Sequence, residues 1–211
     1  AAWAITNEDF MKDIKWLKNL KYKLSWGVLG NQDFITDPTI AGYYPYNDLY
    51  SIGNLNDEIS FSFKYKGNPN LTWERSATWN TGIEFNIADI LEGEVEYYKK
   101  TTKDMLFLKQ VAPSLGYAQY PVNDGKMVNK GIEFSLTAHI IKTNDVNFDI
   151  RLNGGHYINK MTQMPIDDTT GKEKPLEIQG GYGWSKGHSL YDFYMREYAG
   201  VDPETGMALY N

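Results

Sequence analysis

Residues 72–106 alternate between apolar and polar side chains over two long stretches, and this pattern constrains the fold more than any other feature of the sequence. In the first stretch Trp79, Ile83 and Phe85 stand at odd positions, while no even position carries a large apolar side chain. A period of two places alternate residues on opposite faces of a β-strand. Residues 88–90 then turn the chain into a second alternating run. The pattern predicts a β-hairpin with arms far longer than the usual strand of about five or six residues.

Further alternating segments predict more strands of the same kind. Residues 20–28, 131–141 and 146–160 alternate as the hairpin arms do, and residues 59–65 form a shorter alternating run, which indicates a small hairpin or strand extension inside a loop. Residues 20–28 are close to the length of a transmembrane β-strand, about nine to eleven residues.

The two ends of the chain are less regular. Residues 1–5 resemble the end of a strand, and Thr6 or Asn7 can cap a short helix that runs through Leu17. Residues 191–198 are a candidate for the start of a further strand.

The connections between the predicted strands alternate in length. Residues 29–70, 107–128 and 161–190 are long and rich in turn-forming residues, whereas residues 88–90 and 142–145 are short turns. Transmembrane β-barrels have short periplasmic turns on one side and long extracellular loops on the other. A soluble antiparallel sandwich with one solvated face is the alternative, but it gives no reason for this segregation. We therefore predict an all-β fold of antiparallel transmembrane β-barrel strands, too few to close a wide barrel by themselves.

The two faces of these strands are predicted to meet different surroundings. In a transmembrane barrel the outward face is apolar and the interior is polar. The side chains predicted to face lipid are Leu24, Trp79, Ile83, Phe85, Val95, Ile132, Phe134, Leu136, Phe148 and Ile150. The side chains predicted to face the lumen are Glu84, Glu92, Glu94, Glu96, Glu133, Asp149 and Arg151.

Composition excludes several classes of function. No stretch approaches the roughly twenty apolar residues of a membrane-spanning helix. The chain has no cysteine, so disulfides and thiolate metal sites are excluded. Its net charge of −6 argues against a nucleic-acid partner. His139, His156 and His188 lack the spacing of metal ligands, so neither a metal nor another cofactor is predicted.

Two patterns are candidates for catalysis. Residues 183–187 match G-x-S-x-G, but a nucleophile elbow needs a helix after it and a distant histidine, and the one later histidine, His188, is adjacent. Glu92, Glu94 and Glu96 could supply the paired carboxylates of a glycosidase, although a solvated lumen wall explains them as well. The chain is therefore not predicted to be an enzyme, and a glycoside hydrolase that uses these glutamates remains an alternative.

Several short motifs resemble those of one protein family. Residues 68–74, Asn-Pro-Asn-Leu-Thr-Trp-Glu, resemble the NP-(D/N)-L-x-WE signature of SusC/RagA-type TonB-dependent outer-membrane transporters. Residues 26–31, 97–106, 123–133 and 200–206 resemble further motifs of that family, in the same order. The matching positions include Asn68, Pro69, Leu71, Trp73 and Glu74, with Gly131 and Glu133 in a later motif.

The resemblance implies a location and a set of partners. Residues 1–211 would be a late part of the β-barrel domain of a transporter with about 22 strands, without its N-terminal plug. Such a transporter lies in the outer membrane of a Gram-negative cell, is capped by a SusD-like surface lipoprotein and is energised by TonB through the N-terminal region. Its cargo would be an oligosaccharide or a peptide. A soluble β-rich carbohydrate-binding module remains the alternative, and it would bury the apolar faces against a second sheet.

Overall fold

The computed structural model describes residues 1–32, 44–55, 58–117, 119–167 and 170–211, and most of them lie in antiparallel β-strands. The strands are β1 (Ala2–Ala4), β2 (Leu17–Asn31), β3 (Leu49–Leu55), β4 (Glu58–Tyr65), β5 (Glu74–Ile87), β6 (Leu91–Lys103), β7 (Leu106–Gln110), β8 (Gln119–Asn123), β9 (Lys126–Lys142), β10 (Asn147–Gln163), β11 (Glu177–Gln179), β12 (Tyr182–Trp184), β13 (Tyr198–Val201) and β14 (Ala208–Tyr210). Within these residues, six strands form one sheet in the order β1-β2-β5-β6-β9-β10. The others pair as the hairpins β3-β4, β7-β8, β11-β12 and β13-β14.

The five long strands of the sheet follow the alternating segments of the sequence. Strands β2, β9 and β10 extend beyond the predicted segments, whereas β5 and β6 lie within residues 72–106. Strand β2 has 15 residues, and β9 and β10 have 17 residues each. The all-β prediction is confirmed, and so is the hairpin of β5 and β6. Within the described residues, no helix is long and apolar enough to cross a membrane.

Two predictions for the chain ends are wrong. The segment after β1 forms two 3-10 helices, Ile5–Asn7 and Asp9–Met11, instead of a helix that continues to Leu17. Leu17 pairs with Ile87 at the start of β2, so it is not available to end a helix, and a helix of about 12 residues is marginal without tertiary packing. Residues 191–197 are irregular, and the next strand begins only at Tyr198.

The register of the sheet lines up the apolar positions of neighbouring strands. Tyr22 lies opposite Ile83, Ile83 opposite Val95, and Val95 opposite Phe134. Directly opposite residues of antiparallel strands share a face. The ten side chains predicted to face lipid therefore lie on one face of the sheet, the apolar face, and the seven predicted to face the lumen lie on the other, the polar face.

Long and short connections leave opposite ends of the sheet. Residues 88–90 and 143–146 close the tight turns between β5 and β6 and between β9 and β10 at one end, the turn end. The connections that contain the hairpins β3-β4, β7-β8 and β11-β12 all leave from the other end, the loop end. Residues 33–43 and 56–57 of the predicted long loop 29–70 lie outside the described residues.

The turn between β5 and β6 requires an unusual backbone. Ala88 and Asp89 have φ values of 53° and 56°, and the Ile90 N–H donates to the Ile87 carbonyl. Positive φ at both central positions is the geometry of a type I′ turn, which matches the twist of the two strands it joins. The Asn86 side chain adds a bond from the Asp89 N–H to its Oδ1. The connection between the paired residues Ile87 and Leu91 is thus a tight turn of three residues.

Buried apolar side chains gather at the loop end rather than on the sheet. Met105, Phe107, Met161 and Met164 form the cluster, and Trp184 packs against it. Met161 is fully buried and belongs to the polar-face positions of β10. The long connections therefore fold over the polar face at the loop end, and this small core joins the second and third of them.

Candidate functional site

The polar face carries the charged side chains that the alternation predicts to face the lumen. In register, Glu94 lies opposite Glu84 and Ser135, and Glu96 lies opposite Gly82 and Glu133. On the outer strands, Asp149 lies opposite His139 and Arg151 opposite Thr137. The glutamates thus form a continuous acidic surface across β5, β6 and β9.

Lys23 of β2 is the main cation inside this acidic surface. Its Nζ contacts the Glu94 carboxylate directly and lies 3.9 Å from Glu84 and 3.7 Å from Glu96. Lys21, two residues away on the same face, reaches Glu84 at 3.5 Å. The Lys23 side chain is only 28% exposed, so its charge is partly shielded from water. It offsets the repulsion among three carboxylates that would otherwise stand close together.

A second polar cluster lies nearer the turn end. His139 Nδ1 is 2.7 Å from Asp149, and its Nε2 is 3.6 Å from Glu92. Between the two clusters a groove of about 340 Å³ runs over the polar face. Its lining includes Asn19, Glu84, Glu92, Glu94, Ser135 and Thr137. Such an open groove, lined mainly by polar groups, suits contact with another polar surface.

Replacing Lys23 by glutamine should destabilise the folded protein by about 1 kcal/mol, because three partly exposed carboxylates lose their shared counter-charge. The measurement is the free energy of unfolding from a denaturant titration. Adding salt should shrink the difference, because screening weakens the remaining repulsion. Lys21→Gln is the control and should cost less, since Lys21 meets one carboxylate only. A salt-independent loss would show that Lys23 acts through packing instead.

The signature segment 68–74 ties the loops to one another. Asn68 is buried, and its Nδ2 donates to the Pro121 carbonyl of β8 at 2.8 Å. The Thr72 N–H donates to Asn123 Oδ1, and Asn123 Nδ2 donates back to the Thr72 carbonyl, both at 2.7 Å. Glu74 Oε2 accepts a long 3.5 Å bond from the Leu106 N–H. These contacts join the first long connection to the second.

Two aromatic rings explain glycines in the matched motifs. A Cβ atom on Gly30 would come within 2.5 Å of the Trp73 ring, and one on Gly131 within 2.9 Å of the Tyr98 ring. Gly30 cannot take a larger residue while the Trp73 ring stays in place, and at Gly131 the His156 carbonyl oxygen would be closer still than the ring, at 2.7 Å. The motif residues Trp73 and Gly131 therefore have structural roles.

Asn159 of β10 joins the third connection to the sheet. Its Nδ2 donates to Asn129 Oδ1, while its own Oδ1 accepts from the Ser189 hydroxyl at 3.1 Å and from the Leu190 N–H at 2.9 Å. The side chain is buried, 7% exposed, so these bonds are shielded from water. With the methionine cluster, they hold residues 185–190 against the polar face.

Asn159→Ala should loosen this connection, because the Leu190 N–H loses its acceptor, and an unsatisfied buried group costs about 1–3 kcal/mol. Limited proteolysis should cut residues 176–190 of this variant faster than those of the unchanged protein. Asn153→Ala, on the same face of the same strand but exposed, is the matched control and should leave the cutting rate unchanged. Equal rates for both variants would contradict this role of Asn159.

The β3-β4 hairpin of the first connection is fixed by charge. Lys66 Nζ lies 2.7 Å from Asp48, whose other oxygen accepts from the Gly67 N–H at 2.9 Å. These two donors lower the pKa of Asp48, and the carboxylate in turn raises the pKa of Lys66. Folding lowers the pKa of Asp48. The stabilisation from this contact is therefore complete at pH values above the ordinary pKa of an aspartate, and it is lost as the pH falls below that value. Burial raises the pKa of the nearby Tyr65 to about 12.

The G-x-S-x-G segment does not form a nucleophile elbow. Its first two residues end the short strand β12, and turns follow instead of a helix. His188 and Asp192, 3.2 Å apart, line a cleft of about 560 Å³ together with Ser185. Asp192 also accepts from the Ser189 N–H at 3.2 Å, so it stabilises the local turn.

Within the described residues, no group of three or more histidines and carboxylates could hold a metal ion.

The apolar face is open along the whole sheet. Trp26 is 72% exposed, Leu152 58% and Ile83 41%. The buried hydrophobic residues of the described chain all lie elsewhere, at the loop end. Such a continuous exposed apolar surface marks contact with another protein or with a membrane.

Known proteins share this arrangement. A family model described as "TonB dependent receptor-like, beta-barrel" matches residues 25–199. The TonB-dependent receptor SusC of Bacteroides thetaiotaomicron is 30% identical over 190 residues, which are 89% of this chain and 18% of SusC. The TonB-dependent receptor P3 of Formosa agariphila is 28% identical over 207 residues, 95% of this chain and 20% of P3.

Solved structures agree. The RagAB peptide importer in its closed-closed state matches with a TM-score of 0.80 at 29% identity, covering 99% of this chain and 22% of the importer chain. Its open-open state gives a TM-score of 0.78 at 28% identity. This chain spans about a fifth of the length of these relatives. It belongs to the TonB-dependent receptor-like β-barrel family and is of the SusC/RagA type.

Proposed function

We propose that residues 1–211 are part of the barrel wall of an active importer in the outer membrane of a Gram-negative cell. Lipid covers the apolar face, and the polar face lines the lumen. The loop end is extracellular and the turn end is periplasmic. The longer protein supplies the remaining strands and the plug, because the relatives are about five times the length of this chain.

The observation that carries this proposal is the separation of the two faces. The apolar face is exposed from β2 to β10, whereas the long connections fold over the polar face and bury Met161 and Asn159 there. A soluble module would need a second sheet against the apolar face. Among the described residues, the chain's own hairpins pack at the loop end and leave that face uncovered. Lipid provides the missing cover.

The polar face supports a role as lumen wall better than a role in hydrolysis. Lys23 is shared among Glu84, Glu94 and Glu96, so one cation lies among three neighbouring carboxylates. A glycosidase needs one carboxyl group that stays protonated in an apolar pocket. The groove here is open and polar. An acidic wall of this kind fits a plug with basic side chains.

The partners follow from the family. We propose that a SusD-like lipoprotein covers the extracellular loops, that TonB acts through the N-terminal region of the longer protein, and that the cargo is an oligosaccharide or a peptide. RagAB is described as a peptide importer, and exposed tyrosines of the loops, among them Tyr44, Tyr46 and Tyr191, can stack on sugar rings or peptide side chains.

Uptake by whole cells tests this function. A strain that lacks the full-length gene should lose uptake of one class of labelled oligosaccharides or peptides, and the intact gene should restore it. Dissipating the proton gradient should abolish uptake without removing the protein from the outer membrane. If binding and uptake survive dissipation of the gradient, the protein acts as a passive pore or a surface receptor, and the proposal fails.

A further inference from the structure

Among the positions of the apolar face that have a partner in the register, the lysines and arginine all lie near the loop end. In register, Lys99 and Lys130 are directly opposite each other, and Lys160 lies opposite Val128, two residues nearer the loop end. Lys103 lies beyond them on β6. The apolar-face positions of β2, β5, β6, β9 and β10 carry no aspartate or glutamate.

These lysines are free to bind an anion. Lys99, Lys103, Lys130 and Lys160 are all exposed. Among the described residues, none of the salt bridges involves them. Two other cations at this end are less available. Arg75 pairs with Asp104 at 2.7 Å, and Lys126 is partly buried.

The position of the lysines along the strands matches a membrane boundary. Trp26 and Trp79 lie in the same row as Lys99, and Tyr97 lies one same-face row nearer the turn end, beside Ile132. The row of Lys99 lies four residues from the row of Val95, about 13 Å along the strand at about 3.3 Å per residue. Aromatic and basic side chains thus follow the aliphatic rows, as expected where hydrocarbon gives way to headgroups.

We propose that Lys99, Lys103, Lys130 and Lys160 form a binding site for the phosphate groups of an anionic lipid in the leaflet at the loop end. This inference rests on the proposed function, since it needs the apolar face to lie in lipid. It also assigns the leaflet, which is the outer one if the loops are extracellular. The matching ligand is a phosphorylated glycolipid of the lipid A class, whose phosphates lie at the depth of the lysines.

The polar face offers no such site. Lys100, adjacent to Lys99 in sequence, projects from the opposite face beside Thr78 and Asn129. Lys21 and Lys23 of the polar face are paired with glutamates, and Arg151 lies nearer the turn end, opposite Thr137. A cargo or plug inside the barrel would therefore meet a mainly acidic surface, and a lipid outside would meet a basic one. Lys99 and Lys100 are a natural matched pair for a test.

The test is native mass spectrometry of the full-length protein in detergent, titrated with bisphosphorylated lipid A and with the same lipid after removal of its phosphates. Lys99→Gln should weaken binding of the phosphorylated lipid about fivefold, and the triple variant with Lys130→Gln and Lys160→Gln about a hundredfold, as expected for lysines near an anionic surface. Lys100→Gln should leave binding unchanged. Binding of the dephosphorylated lipid should be weak and equal in all variants.

Several results would overturn the site. Equal effects of Lys99→Gln and Lys100→Gln, or equal affinity for both forms of the lipid, would mean that the lysines do not recognise phosphate. The proposed function is tested separately by Ile83→Arg in a lipid refolding titration. If Ile83→Arg is strongly destabilising and the lysine variants still bind normally, the lipid site alone fails.

Discussion

Replacing Ile83 by arginine is expected to destabilise the folded barrel by about 2–4 kcal/mol when the full-length protein is refolded in lipid. Ile83 lies in the middle of β5, opposite Tyr22 on one side and Val95 on the other, and its side chain is exposed on the apolar face. An arginine there must place its charge in hydrocarbon or bend towards the headgroups, and both cost free energy. The unfolding free energy is measured by denaturant titration in bilayers of neutral lipid.

The control for this variant lies three residues away. Asn80 is on the polar face of the same strand, where its Nδ2 donates to Ser25 Oγ at 3.1 Å. Asn80→Arg loses this partly exposed bond, worth about 1 kcal/mol, but leaves the charge in a wet lumen. The ratio of the two losses therefore reports which face meets lipid. Equal losses would contradict the assignment of the apolar face and would favour burial against a second protein surface.

Alternation was enough to predict which residues share a face. A β-strand has a period of two whatever its surroundings, so Ile83, Val95 and Phe134 could be grouped before their partners were known. The register that brings them side by side followed from the shortness of the turns, because residues 88–90 leave little freedom for slippage. No local feature of the sequence shows whether lipid or water covers a given face of the sheet. The assignment of lipid to the apolar face therefore stays a prediction.

The structure of the loops could not be predicted in the same way. Strand β7 contains three consecutive apolar residues, and Pro121 interrupts β8, so this hairpin lacks the alternation that marks the sheet strands. Strands β11 to β14 have only three or four residues each, too short for any period. The sequence therefore predicted long loops where the structure has paired strands.

The polar residues that anchor the loops were also missed or given another role. Asn159 and Asn123 each bond to groups at least 19 residues away, and nothing local distinguishes them from ordinary strand or turn residues. The clustering of Lys99, Lys130 and Lys160 could not be predicted for a related reason. They are spread over three strands, and the net charge of −6 conceals a local excess of positive charge that only the register brings together.

Labelling of single cysteines on intact cells is expected to give an all-or-none pattern. The chain has no native cysteine, so it contributes no background. Ser51→Cys, Ser114→Cys and Lys172→Cys, one in each long connection, should react with a membrane-impermeant thiol reagent. Ile90→Cys and Asn144→Cys, in the two short turns, should react only after the outer membrane is opened. All five positions are exposed, so differences in burial do not explain the pattern.

The sidedness follows from the topology of the sheet. Each long strand crosses once, so every second connection emerges on the same side of the membrane. The long connections leave one end of the sheet and the turns leave the other, and a barrel wall must therefore separate Ile90 from Ser114. Reaction of both cysteines on intact cells would mean that the hairpin of β5 and β6 does not span a membrane. Reaction at the short turns alone would place the loops in the periplasm, which would reverse the orientation and move the lysine cluster to the inner leaflet.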